Sequence, residues 1–337
     1  MIREAIGILV SGQSLTMEQA AQVMDEIMSG EATPAQLSSF VTALRLKGET
    51  VEEIAGLASV MRAKAIPVAV SGPVVDTCGT GGDGSLTFNI STAAAFVVAG
   101  AGLKVAKHGN RAMSSGCGSI DVLEELGAKI DLNAEQVQEC LEKVGIGFMF
   151  APIFHPAMKY AAGPRREIGI RTVFNIVGPL TNPAGAKAQI IGVPESSVLE
   201  KVARALQLLG CEHAFVVNGE DGLDEISACQ RTMISELKGD AVENYFITPE
   251  ELGLPRASLE SLKGGSAQEN ARILYEVLAG AQGPRRDVVL LNAAAALIAG
   301  DKAQTWEEGL ELARQAIDNG QALQKLQGVI ELSQSFS

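Results

Sequence analysis

The stretch Asp76–Thr92, DTCGTGGDGSLTFNIST, decides the fold of this chain, because it concentrates glycines and hydroxyls where a strand turns into a helix. Val74 and Val75 before it read as the end of a short apolar strand, and the alanine-rich run Ala93–Ala101 after it reads as a buried helix. Gly79, Gly81, Gly82 and Gly84 lack a Cβ, so the backbone can take positive φ and bring N–H groups close to an anion. Ser91 and Thr92 fall at the helix start, where unpaired N–H groups and the helix dipole favour negative charge. A glycine-rich turn serves a purely structural loop equally well, so the phosphate reading needs a second element.

Lys107–Ser119, KHGNRAMSSGCGS, supplies it: this segment follows another short strand, Leu103–Ala106, and offers two cations, an amide and three hydroxyls on a flexible backbone. Two such loops after successive strands can face one another at one edge of an open α/β sheet, where ligands settle. Together they predict a ligand with several phosphates.

Working outward, the apolar runs Gly147–Phe150, Ala188–Val193 and His213–Val217 alternate with helical stretches Ala134–Val144 and Ser197–Leu209. This predicts an α/β fold with a mostly parallel central sheet covered by helices. Beyond Asp221 the order changes: Arg231–Leu237 and Ala241–Ile247 read as strands joined by a turn at Lys238-Gly239-Asp240. Toward the N-terminus, three pairs mark helix starts by the capping-box spacing: Thr16 with Gln19, Thr33 with Gln36, Thr50 with Glu53. The tail repeats it with Ser266 and Glu269, and Thr305 and Glu308, and its run Leu291–Ala299 is apolar enough to be buried. The expected organisation is a small helical domain over residues 1–70, joined by a returning proline- and glycine-rich segment at about 155–185. Residues 73–154 and 186–337 then form the larger α/β domain.

Composition narrows the function. Of 337 residues, 47% are hydrophobic, which is ample for a core, and no run reaches the roughly 18 apolar residues of a spanning helix. A cytoplasmic location is expected. Five cysteines, widely spaced with no CxxC pair, suggest neither a disulfide framework nor a thiolate zinc site. The net charge of −13 opposes nucleic-acid binding and also repels a polyphosphate. Phosphate binding therefore calls for local positive charge from Lys107, Arg111, helix ends and bound magnesium.

Asp224 and Glu225 follow the strand His213–Val217 through a glycine-containing acidic loop. Magnesium takes a few hard oxygens and keeps several waters, so this pair with substrate phosphate can form a site; on an exposed loop it would only be solvated charge. In Phe154-His155-Pro156, a histidine before proline reads as a helix-entry or packing residue rather than a base.

Four separated motifs, GTGGD at Gly79–Asp83, KHGNR at Lys107–Arg111, RREIGIRTVFNIVGPLTNP at Arg165–Pro183 and DGLDE at Asp221–Glu225, occur in an order that resembles the anthranilate phosphoribosyltransferase family. The resemblance runs from the N-terminus to about residue 330. It implies transfer of the 5-phosphoribosyl group from 5-phosphoribosyl 1-diphosphate (PRPP) to the amine of anthranilate in L-tryptophan biosynthesis. It implies PRPP contacts from Gly79, Gly82, Asp83 and Thr87, from Asn89, Ile90, Ser91 and Thr92, and from Lys107, His108, Gly109, Asn110, Arg111, Ala112, Met113, Ser114, Ser115 and Ser119. Hydroxyls, backbone amides and Lys107 suit phosphate oxygens, whereas Asp83 suits a ribose hydroxyl or a metal-bound water. Asn89 reads equally as a helix cap. Anthranilate falls to Arg165, with Gly79 and Asn110 completing its site, since a guanidinium can pair with the carboxylate without being deprotonated. Arg166 is expected in an ordinary ion pair with a neighbour such as Glu167. Two magnesium ions per monomer are implied, one at Asp224 and Glu225 and one at Ser91, together with a homodimer through the N-terminal helices. No residue is assigned as a catalytic acid or base, because an amine carries its own lone pair. The rivals are a nucleoside phosphorylase of the same fold and a non-catalytic nucleic-acid-binding relative, whose basic surface this acidic chain does not suggest.

Overall fold

Alternating apolar runs and helical stretches produce a seven-stranded sheet in the computed structural model, which describes residues 1–112 and 116–336. Its strands are β1 (Val75–Gly79), β2 (Val105–Gly109), β3 (Ile146–Phe150), β4 (Ala188–Gly192), β5 (His213–Gly219), β6 (Thr232–Lys238) and β7 (Ala241–Ile247). Their spatial order is β3-β2-β1-β4-β5-β6-β7. The first five are parallel, and β6 and β7 extend the sheet as an antiparallel hairpin turning at Gly239, φ 58°. The chain leaves β1 toward β2 on one side and returns with β4 on the other. The carboxyl ends of β1 and β4 therefore mark the place where strand order reverses and a crevice opens.

Helices α1 (Ile2–Val10), α2 (Met17–Met28), α3 (Pro34–Lys47) and α4 (Val51–Ala63) precede the sheet. The last three begin with reciprocal capping boxes at Thr16/Gln19, Thr33/Gln36 and Thr50/Glu53, each satisfying two N–H groups that a helix start leaves free. Helix α5 (Ile90–Gly100) follows β1, while α6 (Ser119–Glu125) and α7 (Ala134–Lys143) lie between β2 and β3. Helices α8 (Ala151–Phe154), α9 (Lys159–Ile168) and α10 (Val173–Val177) lie between β3 and β4, and α11 (Leu199–Leu208) between β4 and β5. The tail forms α12 (Ala267–Leu278), α13 (Pro284–Ala299), α14 (Trp306–Asp318) and α15 (Gln321–Ser335). In the tail the expected boxes are half-formed. Ser266 and Thr305 accept from the Glu269 and Glu308 amides, but Glu308 turns its carboxylate to the Gln304 N–H.

Strand pleating sorts the core. On β5, Phe215 and Val217 join a cluster with α5, α13 and α14, while Ala214 and Val216 face a second cluster with α11 and α1–α4. Residues Val288–Ala299 of α13 are all buried, as expected for a helix apolar on every side. Ala161, Val173, Phe174, Ile176, Val177 and Leu180, from the segment between β3 and β4, share the cluster of α1–α4.

Two strands run further than their apolar residues predict. β1 continues to Gly79, in register with β4, because Asp76 is satisfied inside the sheet: Asn182 Nδ2 donates to its Oδ2 at 2.7 Å and the His108 N–H to its Oδ1 at 3.4 Å. β2 likewise continues through Lys107 and His108 to Gly109, paired with β3. These residues therefore belong to the floor of the crevice rather than to a loop. Among the described residues no helix is long and apolar enough to cross a membrane.

Candidate functional site

The loop after β1 is shaped by its glycines, with Gly81 and Gly82 at φ 70° and 73° in the left-handed region. The Thr80 N–H donates to the Gly192 carbonyl at 2.9 Å, and the Gly81 N–H to Asp224 Oδ2 at 2.6 Å. Neither Gly79 nor Gly192 has room for a Cβ, because the Asp224 carboxylate fills the space at the first and the Asp224 backbone at the second. Arg171, between α9 and α10, reaches across to the same loop: its guanidinium donates to the Gly81 carbonyl and, at 3.2 Å, to Thr80 Oγ1. Asp83 accepts from the Ser85 amide at 3.3 Å and from the Ser85 hydroxyl.

The second loop lies opposite. Lys107 is 2% exposed; its Nζ donates to the Thr77 carbonyl and lies 3.3 Å from Ser91 Oγ. Asn110 Oδ1 accepts from the Arg111 N–H at 2.8 Å, and Ser119 Oγ donates to the Asn110 carbonyl at 3.4 Å. The Arg111 guanidinium sits on Asp121, at 3.1 Å, and on Glu124, while the Ala112 N–H donates to Asp121 at 2.9 Å. Met113, Ser114 and Ser115 lie outside the described residues. Asn89 stands at the N-cap position of α5 but does not cap it. Its Nδ2 donates instead to the Cys117 carbonyl at 3.1 Å, so the helix start is tied to the second loop.

Asp224 and Glu225 are buried rather than displayed on a solvated loop. Burial pushes both carboxyls above the ordinary carboxylate range, reinforced at Asp224 by Asp83 and at Glu225 by Asp224. Arg171 offsets the first and Lys107 the second. The Ser91 N–H donates to Glu225 Oε1 at 3.2 Å, joining the α5 start to the acid pair. Among the described residues no three His, Cys, Asp or Glu side chains cluster as a metal cage. Two buried, partly compensated carboxylates beside a serine hydroxyl nevertheless suit a hard divalent ion that takes its remaining oxygens from ligand and water.

On the other wall, the Arg165 guanidinium lies 5.0 Å above the Phe174 ring, and burial lowers its pKa. The His108 and His155 rings pack with centroids 4.9 Å apart, tilted 51° to one another. Burial pulls His108 down to about 3, with His155 and Lys107 adding to the effect, and burial lowers His155 too. Burial thus favours the neutral form of each ring, and neither Nε2 has a hydrogen-bond partner among the described residues. Arg166 borders the same space.

The two glycine-bearing loops, the acid pair, Arg165 and both histidines border one cavity of about 790 Å³, and every described residue expected at the site from the sequence lines it. Sequence reasoning missed Arg171, which reaches the loop from another element, and Gly264, Gly265 and Asn270, which line the cavity from beyond β7. The signal for the latter group was the Lys263-Gly264-Gly265-Ser266 string before a helix. All five cysteines are buried, and burial raises the Cys78 thiol, so neither loop presents a reactive thiolate.

Residues 3–65 match a family model described as the glycosyl transferase family, helical bundle domain, and residues 71–323 match the a/b domain of the same family. The chain is 62% identical over 339 residues to an anthranilate phosphoribosyltransferase of Dehalococcoides mccartyi, covering 100% of this chain and 99% of the relative. The crystal structure of anthranilate phosphoribosyltransferase from Thermus thermophilus superposes with a TM-score of 0.93 at 44% identity, covering 98% of this chain and 99% of the other. The Saccharomyces cerevisiae enzyme in complex with PRPP and Mg gives a TM-score of 0.90 at 30% identity, covering 99% and 98%.

Proposed function

The chain belongs to the anthranilate phosphoribosyltransferase family, and from that membership we infer its reaction. It is a pentosyltransferase that moves the 5-phosphoribosyl group of PRPP to the amine of anthranilate, giving N-(5-phosphoribosyl)anthranilate and diphosphate, in L-tryptophan biosynthesis. The observation that carries this reading is the convergence on one cavity of both glycine-bearing strand ends, the buried acid pair and Arg165.

The assigned roles follow from the chemistry of each group. Loop amides, the start of α5 and Lys107 hold phosphate oxygens, and Asp83 holds a ribose hydroxyl or a metal-bound water. Arg165 pairs with the anthranilate carboxylate, with Gly79 and Asn110 beside it. Thr92 supports the donor assignment, since its buried hydroxyl has no partner among the described residues and borders the cavity. Magnesium, when bound, neutralises charge on the departing diphosphate; Asp224 and Glu225 would hold one ion and Ser91 a second, two per monomer.

The acceptor amine needs no base to attack the anomeric carbon, so alignment dominates. Holding two reactants in attack geometry supplies ~7–11 kcal/mol of a barrier, against ~10²–10⁴-fold from a general base. The neutral histidines suit an aromatic acceptor and contribute no proton transfer.

The reading extends to organisation. Residues 1–70 with 155–185 act as one domain, and 73–154 with 186–337 as the other, the substrates meeting between them. A homodimer through the N-terminal helices belongs to the same reading and rests on family membership alone. The location is cytoplasmic.

Loss of anthranilate fluorescence with PRPP and magnesium tests the reaction. Phosphorolysis of thymidine or uridine without anthranilate turnover would replace it with the phosphorylase reading.

A further inference from the structure

Gly264, Gly265 and Asn270 line the cavity from a part of the chain remote in sequence from both glycine loops. Thr87 pairs with Lys263 as an antiparallel bridge, the Phe88 N–H donates to the Leu262 carbonyl at 3.2 Å, and the Gly264 N–H to the Leu86 carbonyl at 2.9 Å. A Cβ on Gly116, in the second loop, would approach the Gly265 carbonyl at 3.3 Å.

A chain of amides runs through this junction. The Gly265 N–H donates to Asn270 Oδ1 at 2.8 Å, Asn270 Nδ2 donates to Asn89 Oδ1 at 3.1 Å, and Asn89 Nδ2 donates to the Cys117 carbonyl at 3.1 Å. The direction is fixed at both ends, by an N–H at Gly265 and a carbonyl at Cys117, so only one orientation of each side-chain amide satisfies the whole chain. Asn270 is 2% exposed, and its polar atoms bond protein groups.

We propose that Asn270 is a positioning residue for the ribosyl donor, setting the rotamer of Asn89 and clasping three loops around the donor pocket; this rests on the transferase reading above. An aspartate at 270 still accepts from Gly265 but opposes Asn89 Oδ1. Turning the Asn89 amide over only moves the conflict to the Cys117 carbonyl. Polarity, not volume, is therefore what the position requires.

The test compares the full-length protein with Asn270→Ala, Asn270→Asp, Asn89→Ala and the double alanine variant. Losing both Asn270 side-chain hydrogen bonds, of which the one to Asn89 bears on the donor, predicts a PRPP KM raised about tenfold in Asn270→Ala, with the anthranilate KM held within about twofold. Asn270→Asp is expected to be worse than Asn270→Ala, and the double variant no worse than the poorer single one, because both act through one chain. Amide hydrogen exchange without any ligand should quicken at 84–89 and 116–119 in Asn270→Ala while residues 1–63 keep their rates. Equal changes in both KM values, a well-tolerated aspartate, additive losses or unchanged exchange would each overturn the proposal. Should the unmodified protein not use PRPP and anthranilate, the transferase reading fails alone, and the exchange measurement still decides whether Asn270 clasps the loops.

Discussion

Gly79 lies so close against Asp224 that a Cβ on the glycine would overlap the aspartate's Oδ2, and a Cβ on Gly192 would press closer still on the Asp224 main chain. Side chains can turn aside more easily than backbone. Gly79→Ala is thus expected to cost about 1–3 kcal/mol of stability, as overpacking does, with Gly192→Ala at or beyond the upper end. Chemical denaturation of both variants reads the difference; equal stability to the parent would show that the crowding is relieved elsewhere.

Arg171 pins the same loop by its Gly81 carbonyl and Thr80 hydroxyl. Arg171→Ala should raise the PRPP KM about tenfold, since bonds from a charged donor are worth ~1.5–3 kcal/mol, and Arg171→Lys should recover only part because it lacks the planar fork. Steady-state kinetics with each substrate varied in turn provides the check, and an unchanged PRPP KM would exclude the role.

Replacing Asp224 with Asn or Glu225 with Gln should raise the magnesium concentration needed for half-maximal turnover by roughly tenfold or more, as a hard ion loses a charged oxygen. A titration of rate against magnesium reads this directly, and an unshifted curve would remove the residue from metal binding.

Arg165→Ala is expected to raise the anthranilate KM by about tenfold to a hundredfold, the worth of a charge-assisted bond, and to leave the PRPP KM nearly unchanged. Equal damage to both constants would count against the acceptor assignment.

His108 and His155 carry pKa values depressed by burial, so the unfolded chain binds protons there more readily than the folded one. Their stabilising contribution is complete above the ordinary value of 6.5 and is lost as the pH falls below it, at up to about 1.4 kcal/mol per pH unit for each fully neutral ring. Glutamine at both positions should flatten the decline in stability between about pH 6.5 and 4.5, measured by denaturation at each pH. In the intact protein, kcat/KM should show no limb near 6.5 from either ring.

Local sequence disclosed much of this arrangement, because its signals act over a few residues. Thr16, Thr33 and Thr50 each start a helix through a partner three positions on, and the GTGG turn bends by its own glycines. The sheet edges were harder to see. Asp76 and Lys107 read as polar breaks, yet both lie inside strands, because Asn182 and Thr77 satisfy them within the fold. Arg171 and Asn270 gave no local signal at all. Each meets its partner across a long interval of chain, and only the folded sheet brings those partners together.

The depth of the thiols gives the molecule a built-in gauge of its own integrity. With all five cysteines enclosed and Cys117, Cys140 and Cys211 pushed up to about 11, a chromogenic disulfide reagent at neutral pH should find almost nothing to label on the intact protein. Colour would then develop only as molecules open, so labelling kinetics count excursions out of the native state without any introduced dye.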